Sequence, residues 1–590
     1  MDDDARSDSR RVRGRGTAPV LLASLLMAGW FAPATSTRAQ SFTLSTAVGD
    51  LQVPLIHVSP GGKLMPPGTP VAPPFTAPAI FAAPLPSGSG ARALGAAGAF
   101  TAIADDATAA SWNPAGLIQL EKPEVSAVFR LKREDDRHSS ADAAYRVGTD
   151  DHSSYALNYL SAVAPVRILE RNAVVSMNLQ EVFDFSHRFR AEFEQHTGSH
   201  SRRTRRTTAS DTVQTHFALE NGYIDLTEQL TTMQTTTVRQ RQSTTMLGQV
   251  DFEQEGGVQA LSPAFALELT PKLAVGAAVN VYLTGLTDGQ SIRSHTFARY
   301  TGTLENRVSL QDVRRTEGTW NYTGMYVSPT VEVPLDPESG EVPPYTTTAR
   351  DETVARHAFE GFYEVDDRID DFYGVNATFG ALWTASSRLS FGLCLDLPWQ
   401  ANARQTKTIR SGVQVEGRPA ESDQTVVAKD VTFDFPLYWA AGAAWRWTDR
   451  LTSSLDVSQT LWSDYVYHAE GDPRRNPLDG SSYGEHPVDD CWAARTGLEY
   501  LWVLTKTEIP FRLGLSCEQR PAVGSPDTYG GVSLGSGISL GQGANKVILD
   551  VAYVFTWGRD VMGTLVPGQT GSLETDVNRH DLFISCIYHF

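Results

Sequence analysis

With 590 residues, a formal net charge of −18 and a mean hydropathy of −0.25, the chain is long enough for several soluble domains, yet its acidity argues against general affinity for nucleic acid. No segment reaches the roughly 18 uninterrupted apolar residues of a membrane helix. Cys394, Cys491, Cys517 and Cys586 stand singly, without CxxC spacing, and read as small wall-filling side chains.

In chain order, an acidic start is followed by Arg10, Arg11, Arg13 and Arg15, then a largely apolar run from Ala18 to Ala34 and small residues ending at Ala39. This pattern predicts a secretory signal over 1–39. Residues 40–87 carry prolines throughout, including Pro66, Pro67, Pro73 and Pro74, and predict an extended, semi-rigid lead. From 88 to 123 the composition changes to alanine and glycine, with Ala93, Ala97, Gly98 and Ala102 at near-helical spacing, until Asn113-Pro114 turns the chain. Such small residues suit short helical pieces packed close against a crowded wall.

From about residue 124 apolar and polar side chains alternate, the signature of strands with one wet and one greasy face. Fourteen strands are predicted, near 124–134, 153–166, 172–188, 255–269, 272–286, 370–385, 388–402, 433–448, 451–464, 489–503, 508–519, 528–541, 545–558 and 579–590. Short connections such as Thr270-Pro271-Lys272 and Thr448-Asp449-Arg450 alternate with longer ones, two of them very long at about 189–254 and 287–369. The fold class that follows is all-β, a 14-stranded antiparallel transmembrane β-barrel over 124–590, with segment 88–123 as a plug in the lumen.

Strand phase divides the faces. Val547, Leu549, Val551, Tyr553, Phe555 and Trp557 alternate with Ile548, Asp550, Ala552, Val554 and Thr556, so Asp550 points inward if the first set meets lipid. The same test places Asp396, Arg446, Asp456, Arg495, Glu499, Arg512 and Glu518 inside, as an electrostatic scaffold or a guide for substrate. It places Trp399, Trp445, Trp447, Trp502, Trp557 and Tyr588 outside, in an aromatic belt. Strand 579–590 sets Leu582, Ile584, Cys586, Tyr588 and Phe590 on one face, and its two aromatic residues Tyr588 and Phe590 resemble the closing strand that barrel assembly machinery reads in Gram-negative bacteria.

The stretch Ala104-Asp105-Asp106-Ala107-Thr108-Ala109, followed by Asn113-Pro114-Ala115-Gly116, resembles the amino-terminal hatch of the FadL/TodX family, and PorV-type barrels of a protein-secretion system open similarly. The resemblance implies an outer-membrane channel for passive uptake of long-chain fatty acids or other hydrophobic small molecules. It makes Asn113, Pro114 and Ala115 gate residues beside an inward kink of the third strand, although 172–188 holds no glycine or proline to form one. Asp105 and Asp106 are expected to cap a plug helix or to contact an inward arginine, Arg495 or Arg512. A PorV-like barrel that docks secreted proteins is the alternative.

The remaining chemistry is sparse. His187, Arg188, Arg190, His196, His200, Arg202, Arg203, Arg205 and Arg206 concentrate positive charge in one loop, read as a solvated surface or a contact to lipopolysaccharide phosphates. Asp366, Asp367, Asp370 and Asp371 lack calcium-loop spacing and read as surface charge. No catalytic residue, metal site or cofactor is expected, since Walker, Rossmann and HExxH motifs are missing from the sequence. The expected partners are a hydrophobic ligand, outer-membrane lipid and lipopolysaccharide, and the assembly machinery, for a monomer in the outer membrane.

Overall fold

A computed structural model describes residues 88–590, except 141–144, 169, 285–290, 328–329, 479–481, 485–487, 506, 523–524, 542–545, 562–565 and 568–572. Earlier in the chain it describes only the backbone of short strands, of which Ser41–Thr46 pairs with Gly49–Pro54. The expected signal segment at 1–39 lies outside the described residues.

Fourteen strands form the wall: β1 Glu124–Ser140, β2 Thr149–Ile168, β3 Arg171–Asp184, β4 Gly257–Thr270, β5 Leu273–Leu283, β6 Glu332–Thr384, β7 Leu389–Asp396, β8 Tyr438–Arg446, β9 Leu451–Thr460, β10 Cys491–Val503, β11 Glu508–Arg520, β12 Asp527–Leu540, β13 Lys546–Val561 and β14 Leu573–His589. Each pairs antiparallel with the next, and β14 pairs with β1 through registers such as Tyr588 to Val125, so the sheet closes on itself. Closure leaves the ring no edge, which a spanning strand requires because lipid offers backbone groups no partner.

Alternation sorts the side chains as the sequence predicts. On β11, Phe511, Leu513 and Leu515 are exposed on the outer face while Arg512 is buried within. Ring pairs Trp383 with Phe391, Trp445 with Trp447, Trp502 with Phe511, and Tyr588 with Phe590 gather near the short turns, forming one rim of an aromatic belt. All four cysteines are free thiols, Cys394 and Cys491 buried, Cys517 and Cys586 exposed.

Two differences have identifiable causes. The strand expected over 388–402 stops at Asp396, and a new strand, Trp399–Val415, starts after Pro398. Proline donates no ladder hydrogen bond and restricts the residue before it, so the alternation restarts and Trp399 points inward, 9% exposed, rather than joining the belt. Pro436 divides the strand expected over 433–448 in the same way, ending Glu421–Phe435 before β8 begins.

The two long loops are themselves strands. His187–Leu219 pairs with Gly222–Glu255, which pairs with Ile292–Val327, which pairs with the first part of β6. The 33 residues of His187–Leu219 span roughly 110 Å at about 3.4 Å per residue, so this four-stranded sheet carries β-structure far beyond the wall. Threonine and valine runs such as Thr235-Thr236-Thr237-Val238 supply the β-branched residues that favour it.

The closed wall makes the outer face the costly place for a charge. Leu513→Arg is expected to lower the folding free energy into lipid vesicles by about 2–4 kcal/mol if it sits at mid-bilayer, measured by urea titration of refolding.

Candidate functional site

The site is built around residues 88–120, whose hydrogen bonds reach strands on opposite sides of the ring. The Ala91 backbone N–H donates to Ser585 Oγ on β14 at 2.7 Å, and the Thr101 N–H to Asp456 Oδ2 on β9 at 2.8 Å. Ser533 on β12 donates to the Gly95 carbonyl at 3.0 Å and accepts from the Ala97 N–H at 2.9 Å. A segment bonded to opposed strands of a closed ring lies within it. Its helix is short, α1 Ala91–Gly95, and tight turns follow, with 3-10 helices at Ala109–Ser111 and Pro114–Gln119.

Paired wall glycines let the backbone of this segment approach. Gly276 on β5 faces Gly380 on β6 in register, and a Cβ on either would lie 2.4 Å from Ala115 N or 2.1 Å from Asn113 Oδ1. Gly392 and Gly442 form the next pair, where a Cβ on Gly392 would meet the Thr101 carbonyl at 2.0 Å. Gly497 and Gly514 receive Ala96 and Ala97, and Gly535 receives Gly95. Elsewhere on β12, Gly531 and Gly537 instead make room for Ser516 and Asp550.

Asn113 is fully buried and caps the 3-10 helix, accepting the Ala115 N–H at 3.1 Å. Its amide donates to the Thr101 carbonyl at 2.8 Å and to the Ala381 carbonyl of β6 at 3.0 Å, tying segment and wall together. Pro114 and Ala115 are buried beside it.

Asp105 and Asp106 contact neither Arg495 nor Arg512. Asp106 accepts the N–H and hydroxyl of Thr108 at 2.8 and 2.6 Å, fixing the turn before Ala109–Ser111. Burial pushes its carboxyl above the ordinary range, and Arg92 and the Thr108 bonds oppose that rise. Asp105 pairs with Arg92 at 2.9 Å, and Arg92 pairs with Glu499 at 3.2 Å. Glu499 continues to Arg512 at 2.6 Å, and Arg512 reaches past β12 to Asp550 at 2.6 Å, making one chain of charges from the segment to β10, β11 and β13. Arg92 was not legible as a site residue, because nothing in an alanine-rich run marks its partner on β10.

The other inward charges divide. Asp456 holds Thr101, Arg495 pairs with Glu518 at 3.5 Å, and Asp396 accepts the Thr378 hydroxyl. Arg446 has the inward phase yet lies exposed at the turn rim, apart from the network. Tyr588 and Phe590 stand on the outer face, stacked 6.0 Å apart.

Between the segment and the long-loop end lies a cavity of about 240 Å³. Its upper wall is a row of near-parallel rings: Phe183 to Phe435 at 5.6 Å, Phe435 to Trp399 at 4.2 Å and Trp399 to Tyr282 at 3.8 Å between centroids. Asn280, Asn376, Thr378, Asp396, Tyr438 and Arg495 line the polar part, and Leu94, Ala97 and Trp112 of the segment also face it. Sequence reasoning missed this aromatic row because its members come from four separate strands, three of which begin or end beside a proline or a bulge.

Residues 180–183 of β3 also line the cavity, where the wall changes. The β2–β3 ladder runs from Ile168–Arg171 to Tyr159–Gln180, and pairing on that seam resumes only where Tyr145–Val147 meets Ala191–Phe193. A bulge at Val182 against β4 and another at Asn158 against β1 mark the parting. The absence of glycine and proline therefore does not keep β3 regular, since a bulge needs only one extra residue. Asn113, Pro114 and Ala115 contact β5 and β6 rather than this part of β3.

The closed ring, apolar outer face and occupied interior define the class as a transmembrane β-barrel of the outer-membrane type. No family model matches the chain, and no curated protein is similar enough to count as a relative. Among solved structures it is similar to a FadL homologue of Pseudomonas aeruginosa at 12% identity, over 86% of this chain and 100% of that one, with a TM-score of 0.46. It is also similar to the monoaromatic hydrocarbon channel CymD at 11% identity, over 87% of this chain and 99% of that one, and to the toluene transporter TbuX of Ralstonia pickettii at 13%, over 85% and 98%, both at a TM-score of 0.40.

Removing the middle of the charge chain leaves Asp550 without its cation and Glu499 with Arg92 alone. Arg512→Met is expected to cost about 3–5 kcal/mol of stability, with part recovered by adding Asp550→Asn, both read from urea unfolding in vesicles.

Proposed function

We propose that the chain is an outer-membrane channel that takes up hydrophobic small molecules passively, with residues 88–120 as the hatch that keeps the lumen from leaking. The carrying observation is the cavity that abuts this segment and is walled by Phe183, Tyr282, Trp399 and Phe435. Apolar rings supply affinity by removing ligand surface from water, while the amides, Tyr438 and Arg495 orient a polar end. The motif ending in Asn113-Pro114-Ala115 resembles the hatch of the FadL/TodX family and supports the same reading.

Long-chain fatty acids are the ligand class we favour, with compact aromatic hydrocarbons as the nearest competitor for a cavity of this size. The ligand enters from the long-loop end, which we assign to the cell exterior, settles against the rings and leaves either past the hatch or sideways where β2 and β3 part. Flow runs down the concentration gradient and needs no catalytic group. A barrel that only docks secreted proteins needs no aromatic-walled cavity, and we do not favour it.

Cells lacking their own fatty-acid channel are expected to take up labelled long-chain fatty acid several-fold faster with the wild-type chain than without it. Trp399→Ala is expected to remove most of that gain, and Asn113→Ala to change the rate while admitting small hydrophilic dyes. Equal fatty-acid uptake with and without the protein contradicts the fatty-acid assignment, and equal uptake of toluene as well contradicts transport altogether.

A further inference from the structure

The inner face of β1 carries an unusual run at its long-loop end: Arg130, Lys132, Glu134, Asp136 and His138, all facing inward. The lower members are satisfied by ion pairs. Arg130 binds Asp581 at 2.9 Å, Glu181 at 3.4 Å and Asp184 at 3.5 Å, and Lys132 binds Asp184 at 2.9 Å. The next two are acidic, and His187 reaches them from the far side of the interval where β2 and β3 part. Its Nδ1 lies 3.9 Å from both Glu134 Oε1 and Asp136 Oδ2.

One ligand atom from each of Glu134, Asp136 and His187 falls within 4.8 Å of the others. Asp136 supplies an independent sign that something belongs there. It is 4% exposed, and its shielded Oδ1 accepts no hydrogen bond, although a buried carboxylate oxygen without a partner is costly. The nearby cations are committed elsewhere: Lys132 to Asp184 and the Ser186 carbonyl, and Arg579 to Asp581 at 2.7 Å.

We propose that Glu134, Asp136 and His187 form a site for a divalent transition-metal ion, with zinc as the natural probe. Two carboxylates and one imidazole suit a borderline ion, whereas calcium takes oxygen ligands only. A ligand set of three leaves a coordination position for water. His138, with Nε2 3.4 Å from Asp150 Oδ2, lies in the next layer out on the same face. The ion clamps the outer end of β1 to the first residue of the surface strand His187–Leu219, across the interval where the β2–β3 ladder is interrupted. It thus fixes the seam beside the cavity by coordination where backbone pairing stops.

No spacing marks this arrangement in the sequence, since His187 lies about fifty residues from the two acids, in what reads as a basic loop. A second cluster, with His295 exposed and Glu364 and Asp366 partly buried, provides the control.

The test is a zinc titration of the full-length barrel in detergent micelles, in competition with a chromophoric chelator, with folding checked by heat-modifiable gel migration. The wild type is expected to bind one equivalent that is retained in His295→Ala. That equivalent is expected to weaken at least about tenfold in His187→Gln and, separately, in the isosteric Asp136→Asn, since even outer-shell changes cost that much. The proposal is overturned if the wild type takes no zinc from the chelator, or if both folded variants bind it as tightly as the wild type.

Discussion

A spanning strand in lipid must pair every backbone N–H and C=O with another strand, and the rest of this structure depends on that requirement. It forces the sheet to close from β14 onto β1, and closure in turn fixes which side chains meet lipid and which meet each other. Once closed, a ring of fourteen strands encloses more space than its own inward side chains fill. The interior is then a second solvent problem, solved here by glycines, charges and a piece of the same chain.

Glycines and charges do different work in that interior. The Gly276–Gly380, Gly392–Gly442 and Gly497–Gly514 pairs remove side chains so that backbone can lie against backbone, which sets how close residues 95–115 come to the wall. The chain from Asp105 through Arg92, Glu499 and Arg512 to Asp550 sets its position along the wall. Buried ion pairs contribute little net stability compared with apolar packing, but losing one partner is costly, so such a chain favours one arrangement over its neighbours. The aromatic row and the parted β2–β3 seam open onto the volume left between this segment and the long-loop end. The cavity is thus bounded on one side by residues 88–120 and on another by an interrupted ladder.

Much of the wall was legible because alternation survives wherever a strand is uninterrupted. Asp550, Arg512 and Asp456 point inward as their phase predicts, and Leu549, Leu513 and Tyr588 outward. Trp399 was misread because Pro398 restarts the alternation after Asp396, and no periodicity carries across such a break. The very long connections read as loops because their alternation mixes threonine with charge on both faces, yet they form ladders as regular as those of the wall. The candidate site was half visible. Asn113, Asp105 and Asp106 announce themselves by motif, whereas Arg92, the glycine pairs and the Glu134, Asp136 and His187 cluster exist only once register brings separate strands together.

The account stands on residues 88–120 being held inside the ring. Ala91→Cys with Ser585→Cys, in a chain whose Cys394, Cys491, Cys517 and Cys586 are serine, tests this directly, because the Ala91 N–H lies 2.7 Å from Ser585 Oγ. Oxidation in intact outer membranes is expected to link most of the protein internally, with a shifted band on a non-reducing gel. Linking no greater than that of Ala91→Cys with the lipid-facing Leu534→Cys would contradict the account.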